Sequence, residues 1–381
     1  MKSLSKIILL VLFLFSHSVQ AEMLEPTLLE VTELTYSDRF DEAISLADSY
    51  IASHPSDPRG LVVKAMAMDW KQKITAGFEK KLDGQILEML KNANLMAFIQ
   101  WERDPKNIDK MITLGNSYLY LSKKWVDLKK QGRAGLILKK CRKHLEEAIS
   151  LDPKRYDAYL ALGLFNFYMA NIPPGFKFLA GLLGMTGNEA VGLKQLKMAS
   201  ENKNLHWVDA KFILAYAFGK TKKDYPSSLA IMNDLVTRYP KNVFFRHFKA
   251  EYETKAKQYA LARADFSKFL GMCLARLKNP CSGELLFEAH YYLASGYIVE
   301  SKWNEAAKEI ALAEGISFTS HPDMLVKLYY NKGIVFKALG KKSEAIVEFR
   351  KVENKKELNT KAWEQAKKEL LEMGEKIENR K

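Results

Sequence analysis

The feature that most constrains this chain is a mark that returns at near-regular intervals. A small residue sits among apolar ones in the segments Tyr225-Pro-Ser-Ser-Leu, Tyr259-Ala-Leu-Ala, Trp303-Asn-Glu-Ala-Ala and Lys342-Ser-Glu-Ala-Ile. Counted on Ser228, Ala262, Ala306 and Ala345, the separations are 34, 44 and 39 residues. Two earlier segments carry related marks: Phe40-Asp-Glu-Ala-Ile, followed by Pro55, and Glu146-Glu-Ala-Ile-Ser-Leu-Asp-Pro153. A period near 34 residues with small insertions is that of stacked helical hairpins. Between the marks, apolar residues recur at helical spacing, and alternation of the kind a strand needs is missing. The expectation is an all-α chain.

Composition supports a continuous core, because hydrophobic residues make up 48% of the chain and charged residues 27%, with 11 prolines. The start reads as a secretory leader. Lys2 and Lys6 precede an unbroken apolar run from Ile7 to Phe15, and Val19-Gln20-Ala21 offers a cleavage site before Glu22. That run is far short of the roughly 20 residues that span a bilayer. Position 22 is not Cys, so a lipoprotein anchor is not indicated. Loss of the leader lowers the net charge from +14 to +12. Such a basic excess invites nucleic acid, but export argues against that partner, and the lysines are scattered as on a solvated helix face. An anionic membrane or wall surface is the functional alternative. In an oxidising compartment Cys273 and Cys281 are able to pair or to stay as thiols, and Cys141 is left over.

The repeat marks resemble the tetratricopeptide repeat family. Its pattern appears at Leu114-Gly115 with Tyr118, Tyr159 with Leu162-Gly163, Leu293 with Tyr297, and Gly333 with Phe336 and Gly340. Glycine or alanine lets two helices cross closely, bulky aromatics fill the space between hairpins, and proline stops the second helix. The resemblance implies a right-handed superhelical solenoid of antiparallel helix hairpins, with helical insertions and a capping helix at the C-terminus. The expected layout is a signal peptide at 1–21, degenerate repeats at 22–153, a hairpin with an apolar insert at 154–208, regular repeats at 209–359 and a capping helix at 360–381. On that last helix Trp363, Ala366, Leu370, Met373 and Ile377 share one face.

Two stretches depart from the pattern. Residues 121–138 are expected to add about half a helix before Cys141. Gly163 and Gly192 lie 29 residues apart, where a regular repeat needs about 12, so residues 171–187 must sit inside a hairpin turn. The Asp-Ala-Tyr-Leu-Ala-Leu-Gly helix, the Pro-Pro insert, Gly-Met-Thr-Gly-Asn and Gly-Leu-Lys-Gln-Leu are together similar to exported bacterial repeat proteins. They also resemble, more distantly, the inclusion-body-clearance family of mitochondrial outer-membrane repeat proteins, over residues 114–245. A fainter resemblance is to the periplasmic T-component of tripartite transporters.

No catalytic constellation is visible. His17, His54, His144, His206, His247, His290 and His321 are dispersed, and His247 with Glu251 on one helix face is a commonplace pair. Gly187 and Gly192 have phosphate-loop spacing, but Leu193 stands where the lysine belongs and no strand precedes; they read as packing glycines. Metal and cofactor are therefore not expected, and neither is enzyme activity.

What remains is binding surface. The repeat phase places Phe244, His247 and Glu251, then Tyr291, Ser295 and Ile298, then Lys327, Tyr330 and Ile334 on the first helices of successive hairpins, facing a concave groove. These suit an extended peptide or partner helix, although Tyr291 and Tyr330 equally suit packing between hairpins. In the insert, Phe176, Phe178, Leu179, Leu182, Leu183 and Met185 accompany a single charge, Lys177. Folding back into the solenoid is the expectation, since large exposed apolar patches are rare; if exposed, Phe176, Phe178 and Leu182 would meet a membrane surface or a partner. The sequence thus points to a non-enzymatic protein-interaction scaffold in the periplasm or envelope. The second reading is an accessory of small-molecule or lipid uptake, with a ligand cavity near residues 171–187.

Overall fold

The structure, a computed structural model, describes residues 25–76, 81–182, 184–277, 280–316 and 322–377. The expected leader at 1–21 lies outside the described residues, as do His17 and His321. Helices α1 (Pro26–Tyr36), α2 (Phe40–Ser53), α3 (Pro58–Ile74), α4 (Asp83–Arg103), α5 (Ile108–Asp127) and α6 (Gln131–Leu151) come first. A 3-10 turn, Tyr156–Ala158, leads into α7 (Tyr159–Ala170), α8 (Pro174–Leu182) and α9 (Glu189–Glu201). Then follow α10 (Trp207–Tyr216), α11 (Tyr225–Arg238), α12 (Val243–Lys255), α13 (Tyr259–Leu274), α14 (Gly283–Val299), α15 (Trp303–Glu314), α16 (Pro322–Ala338), α17 (Lys342–Glu353) and α18 (Thr360–Glu372). The fold is all-α, a series of antiparallel helix hairpins.

The hairpins reverse in one recurring way. Asp38, Lys129, Lys223, Lys257, Ser301 and Gly340 all have left-handed backbone, with φ between +57° and +75°. In every case the second helix begins two residues later, at Phe40, Gln131, Tyr225, Tyr259, Trp303 and Lys342. At four of the six the next amide reaches back five residues, Lys130 N to Trp125 O at 2.8 Å, Gln258 N to Glu253 O at 2.8 Å, Lys302 N to Tyr297 O at 2.9 Å and Lys341 N to Phe336 O at 2.9 Å, and after Lys223 the Asp224 amide reaches back six, to Phe218 O at 3.0 Å. These bonds satisfy carbonyls that the end of the first helix leaves open. Only one of the six left-handed positions is glycine, so the others bear a backbone cost of about 1 kcal/mol each. Packing of the hairpin offsets it.

The chain forms two compact units. Among the described residues, one comprises those within Met1–Leu34, Asp41–Met66 and Leu87–Trp207, the other those within Thr35–Phe40, Ala67–Ile86 and Val208–Lys381. In the first unit Asn107 caps α5 by accepting from Lys110 N at 3.1 Å. Residues 121–138 add their length without forming a separate element. They lengthen α5 and α6 to 20 and 21 residues about a turn at 128–130, because nothing between Leu119 and Val126 breaks the ladder. The α5/α6 crossing is tight at Gly115, where a Cβ would enter the Leu145 side chain.

The pair α7/α9 meets at two glycines. A Cβ on Gly163 would lie 2.8 Å from Leu196 N, and one on Gly192 would lie 2.5 Å from Phe167 N. Asn166 Nδ2 donates to Gln195 Oε1 at 2.9 Å across the same interface, and Asn188 caps α9 through Val191 N at 3.1 Å. Residues 171–187 therefore occupy the turn of this hairpin. They hold α8, and its described apolar side chains do not fold back: Phe178 is 77% exposed and Leu182 69%. The cause is the anchoring at the far end of the insert. Met185 is buried, with its Cε 3.4 Å from where a Gly135 Cβ would stand. Arg142 lies over the Phe165 ring at 4.7 Å and donates to the carbonyls of Gly184 and Thr186, each at 3.4 Å. Gly187 is pressed against the Asn166 carbonyl of α7. With its return strapped to α6 and α7, α8 presents Phe178 and Leu182 outward.

In the second unit α10 continues into a π-helical stretch, Ala217–Lys222, before the turn at Lys223. Ser228 Oγ donates to Ala215 O at 2.8 Å across this hairpin. Asn242 caps α12 and also donates to Tyr36 O at 2.9 Å. Cys273 and Cys281 are joined, closing the loop between α13 and α14. Cys281 also forms a two-residue bridge with Thr75, through Ser282 N to Ile74 O at 2.7 Å and Ala76 N to Pro280 O at 2.8 Å. At the C-terminal end Ala362, Ala366 and Leu370 of α18 cover Val326 of α16 and Phe349 and Val352 of α17, with Met373 and Ile377 partly buried against them. Gly374, at φ +84°, ends that helix.

Candidate functional site

The first helices of the hairpins in the second unit carry two distinct surfaces. One is aromatic. Phe212 and Tyr216 lie one turn apart on α10, and Phe244 and Phe248 one turn apart on α12; all four are half-buried. Ring centroids are 5.4 Å apart for Phe212–Phe244, 5.2 Å for Phe212–Phe248, 4.7 Å for Phe244–Phe248 and 6.4 Å for Tyr216–Phe248. Trp70 stands edge-on beneath Phe244 at 5.1 Å and Phe245 closes the floor at 5.8 Å from Phe212. Such offset and edge-on pairs hold rings rigidly. All four aromatic residues keep part of their surface exposed.

The other surface is polar and buried. His247 has no exposed side chain, and its ring lies 5.7 Å from Phe266 and 5.3 Å from Phe269. Its Nε2 is 3.4 Å from Glu288 Oε2 on α14. Burial drives the imidazole down to about 4, outweighing the Glu251 charge. Burial likewise pushes the Glu288 carboxyl up to about 8, helped by the negative charges of Glu251 and Glu284 against Lys220 and Lys255. At neutral pH the contact therefore joins two neutral groups and is not an ion pair. Glu251 is the charged member. Burial raises its carboxyl, but Lys255 and Lys220 outweigh that and hold it below its ordinary value. It accepts hydrogen bonds from Lys255 Nζ and, at 2.9 Å, from Tyr292 OH. Tyr292 is raised well above its ordinary value by burial and by Glu251 and Glu288, so it stays a donor.

The remaining expected residues fall elsewhere. His247, expected on an exposed face, is core, because α14 covers it. Tyr291 is half-buried against the apolar cluster of Phe287, Ala294 and Leu328. Its backbone carbonyl accepts from Ser295 Oγ at 2.9 Å. Lys327 donates to Asp323 at 3.0 Å. Tyr330 packs on Phe349 at 5.9 Å. These three are not gathered with Phe244 into one pocket. In the first unit Phe178 and Leu182 are exposed, and Phe176 lies on α8 with its side chain outside the described residues. Sequence reasoning missed Phe212, Tyr216, Phe248, Glu288 and Tyr292. The signal for the last two was present, since Glu284, Glu288 and Tyr292 repeat on α14 the i, i+4, i+8 spacing of His247, Glu251 and Lys255. Among the described residues no group of His, Cys, Asp and Glu converges as a metal ion requires.

Residues 157–378, more than half of the chain, match the family model described as Iml2/Tetratricopeptide repeat protein 39. The chain belongs to this family. Within it, α10, α12, α14 and α16 are first helices of tetratricopeptide hairpins, and both surfaces lie on them. No curated protein matches the chain. Among solved structures, it is similar to PilW, a type IV pilus biogenesis factor, at 12% identity and TM-score 0.44, over 66% of this chain and 97% of that one. PilF of Pseudomonas aeruginosa is similar at 13% identity and TM-score 0.44, over 69% and 99%. A tetratricopeptide repeat protein of Thermus thermophilus is similar at 18% identity and TM-score 0.37, over 60% and 97%.

The first unit of this family member has an open cleft at the starts of α3 and α5. Arg59, Asn116, Arg155, Asp157 and His206 are among its lining residues, and none of the lining falls within 171–187. Its arginines are engaged: Arg59 with Asp57 at 2.7 Å, Arg155 with Asp109 and, at 3.0 Å, with Asp157. Tyr120 OH lies 2.9 Å from His206 Nδ1. The ligand cavity expected near the insert is thus not where this cleft lies. No helix of the described residues is long and apolar enough to cross a membrane.

Proposed function

We propose that the protein is a non-enzymatic scaffold that binds a partner protein through the aromatic surface of α10 and α12. The observation that carries this reading is the half-open quartet Phe212, Tyr216, Phe244 and Phe248 on adjacent first helices, held from below by Trp70 and Phe245. Rigid, partly exposed aromatics supply large contact area at low entropy cost and dominate protein interfaces. Beside them Lys220, half-exposed, stands 3.8 Å from Glu251, which favours a partner segment with an apolar stripe flanked by charge. Membership in a tetratricopeptide family supports protein partners in general.

The proposed site of action is the periplasm or envelope, after cleavage near Ala21, with one repeat array spanning residues 22–381. The Cys273–Cys281 disulfide supports this, since disulfides persist in oxidising compartments. The test uses the full chain as bait in envelope fractions, with a photocrosslinking residue at Tyr216. A discrete crosslinked partner is expected, and its capture should fall at least tenfold when Phe244→Ser/Phe248→Ser is added to the chain that keeps the crosslinking residue at 216, while the helical circular dichroism is kept. Undiminished capture by that variant sinks the assignment.

A further inference from the structure

We propose that α8 and the adjoining face of α6 form a docking surface for an anionic phospholipid bilayer, on which the first unit rests without spanning it. Three observations lead there. First, α8 holds Phe178 and Leu182 outward, one turn apart, at 77% and 69% exposure. Its glycines add nothing to cover them: a Cβ on Gly175 or Gly181 would meet no atom within 4 Å. Second, this is a built arrangement. Arg142 and Met185 strap the end of the insert to α6, and Gly187 seats it under α7, so the apolar edge faces out because its ends are pinned. Next to the Met185 seat at Gly135, Leu136 is itself 63% exposed.

Third, the charge around this edge is mainly positive, and Glu146, which follows on α6, is paired with Arg142 at 2.7 Å. Residues 131–145 contain Arg133, Lys139, Lys140, Arg142 and Lys143, and residues 159–188 contain Lys177, with no Asp or Glu in either stretch. Arg133, Lys139, Lys140, Lys143 and Lys177 are exposed. Leu136, Lys139, Lys140 and Lys143 follow i, i+3, i+4 and i+7 spacing, one face of α6. A short apolar edge flanked by an excess of cations matches the boundary of a bilayer rich in anionic lipid, where each insertion of a ring or aliphatic side chain and each lysine near the surface adds binding. An acidic protein would answer the charge but not the outward Phe178 and Leu182 on so narrow an edge. A second copy of the chain would set these cations against each other.

The test attaches the polarity-sensitive fluorophore NBD at Gly181→Cys, an exposed position where a side chain meets nothing, with Gly84→Cys as a control site in α4. The full chain is mixed with vesicles of phosphatidylcholine containing about 30% phosphatidylglycerol, or of phosphatidylcholine alone, a contrast chosen for surface charge. Because the signal is local, an apolar N-terminal segment cannot produce it at position 181. The expected result is a blue shift at position 181 and none at 84, only with anionic vesicles and suppressed by high salt. Phe178→Ser/Leu182→Ser should weaken the binding by about tenfold or more, and Lys139→Glu and Lys143→Glu by about fivefold each. These positions are exposed, so unchanged circular dichroism shows that the variants fold. No shift with anionic vesicles, an equal shift with neutral ones, a shift unaffected by Phe178→Ser/Leu182→Ser, or a shift without lipid that tracks self-association in sedimentation would each overturn the proposal.

Discussion

Raising the pH from 6.5 to 8 should cost the protein stability through one carboxyl, Glu288. In the folded chain its pKa is pushed from 4.5 up to about 8, so the native state holds a proton that the unfolded chain gives up. Its contribution is complete below pH 4.5 and is lost as pH rises to 8. His247 works in the opposite sense. Its pKa falls from 6.5 to about 4, so its contribution is complete above pH 6.5 and is lost as pH falls toward 4. Between 4.5 and 6.5 the two slopes cancel, and above 6.5 Glu288 acts alone. One pH unit in that regime is worth 1.36 kcal/mol, which gives a loss of about 2 kcal/mol from pH 6.5 to 8. Glu251 is held ionised, and Tyr292 is held protonated, across this window; Glu284, Lys220 and Lys255 are the other charged groups facing the pair. Urea denaturation of wild type and Glu288→Gln isolates the effect, since glutamine keeps the shape and cannot titrate. The stability difference between the two should shrink or change sign by about 2 kcal/mol over the window. A difference that stays constant with pH refutes the reasoning.

Three further outcomes follow from packing. Cys273→Ser/Cys281→Ser opens a loop of 8 residues and should lower stability by about 2.5 kcal/mol from chain entropy, seen as a shift of the urea midpoint. Gly192→Leu must push α9 from α7, because even a Cβ would stand 2.5 Å from Phe167 N; a loss of about 3 kcal/mol or more is expected from overpacking, and a stability within 1 kcal/mol of wild type contradicts the close crossing. Phe178→Ser/Leu182→Ser touches neither core, so its urea midpoint should match wild type, to within about 0.5 kcal/mol.

Much of the fold was legible because helix marks are local. The small residues Ser228, Ala262, Ala306 and Ala345 each sit three residues into a second helix of a hairpin, and sequence spacing alone is enough to find them. The turn geometry was much less legible. Of the six left-handed turn residues only Gly340 has the residue type that announces such a backbone. Asp38, Lys129, Lys223, Lys257 and Ser301 adopt it because the two helices on either side pack, which no local pattern records. The insert illustrates the same limit from the other side. Gly163 and Gly192 located it, since their separation exceeds the repeat. Whether α8 turned in or out depended on Arg142 reaching Gly184 and Thr186 from a helix some 40 residues earlier.

The candidate site shows where helical phase stops being informative. Phe244, His247 and Glu251 are three and four residues apart and so share a broad face of α12. That face is wide enough to be divided between two neighbours. Phe244 and Phe248 lean toward Phe212 and Tyr216 of α10 and stay half-open, whereas His247 and Glu251 lie under Glu288 and Tyr292 of α14 and are sealed. The division follows from which hairpin stacks on which side, a relation between residues some 30 to 40 positions apart. It also explains why the titrating group is Glu288. The seating of α14 that removes His247 from water also buries Glu288, 3.4 Å away, and burial is the largest cause of its raised carboxyl, ahead of the Glu251 and Glu284 charges. Both shifts are led by burial, and the burial of both groups is set by the seating of α14 on α12.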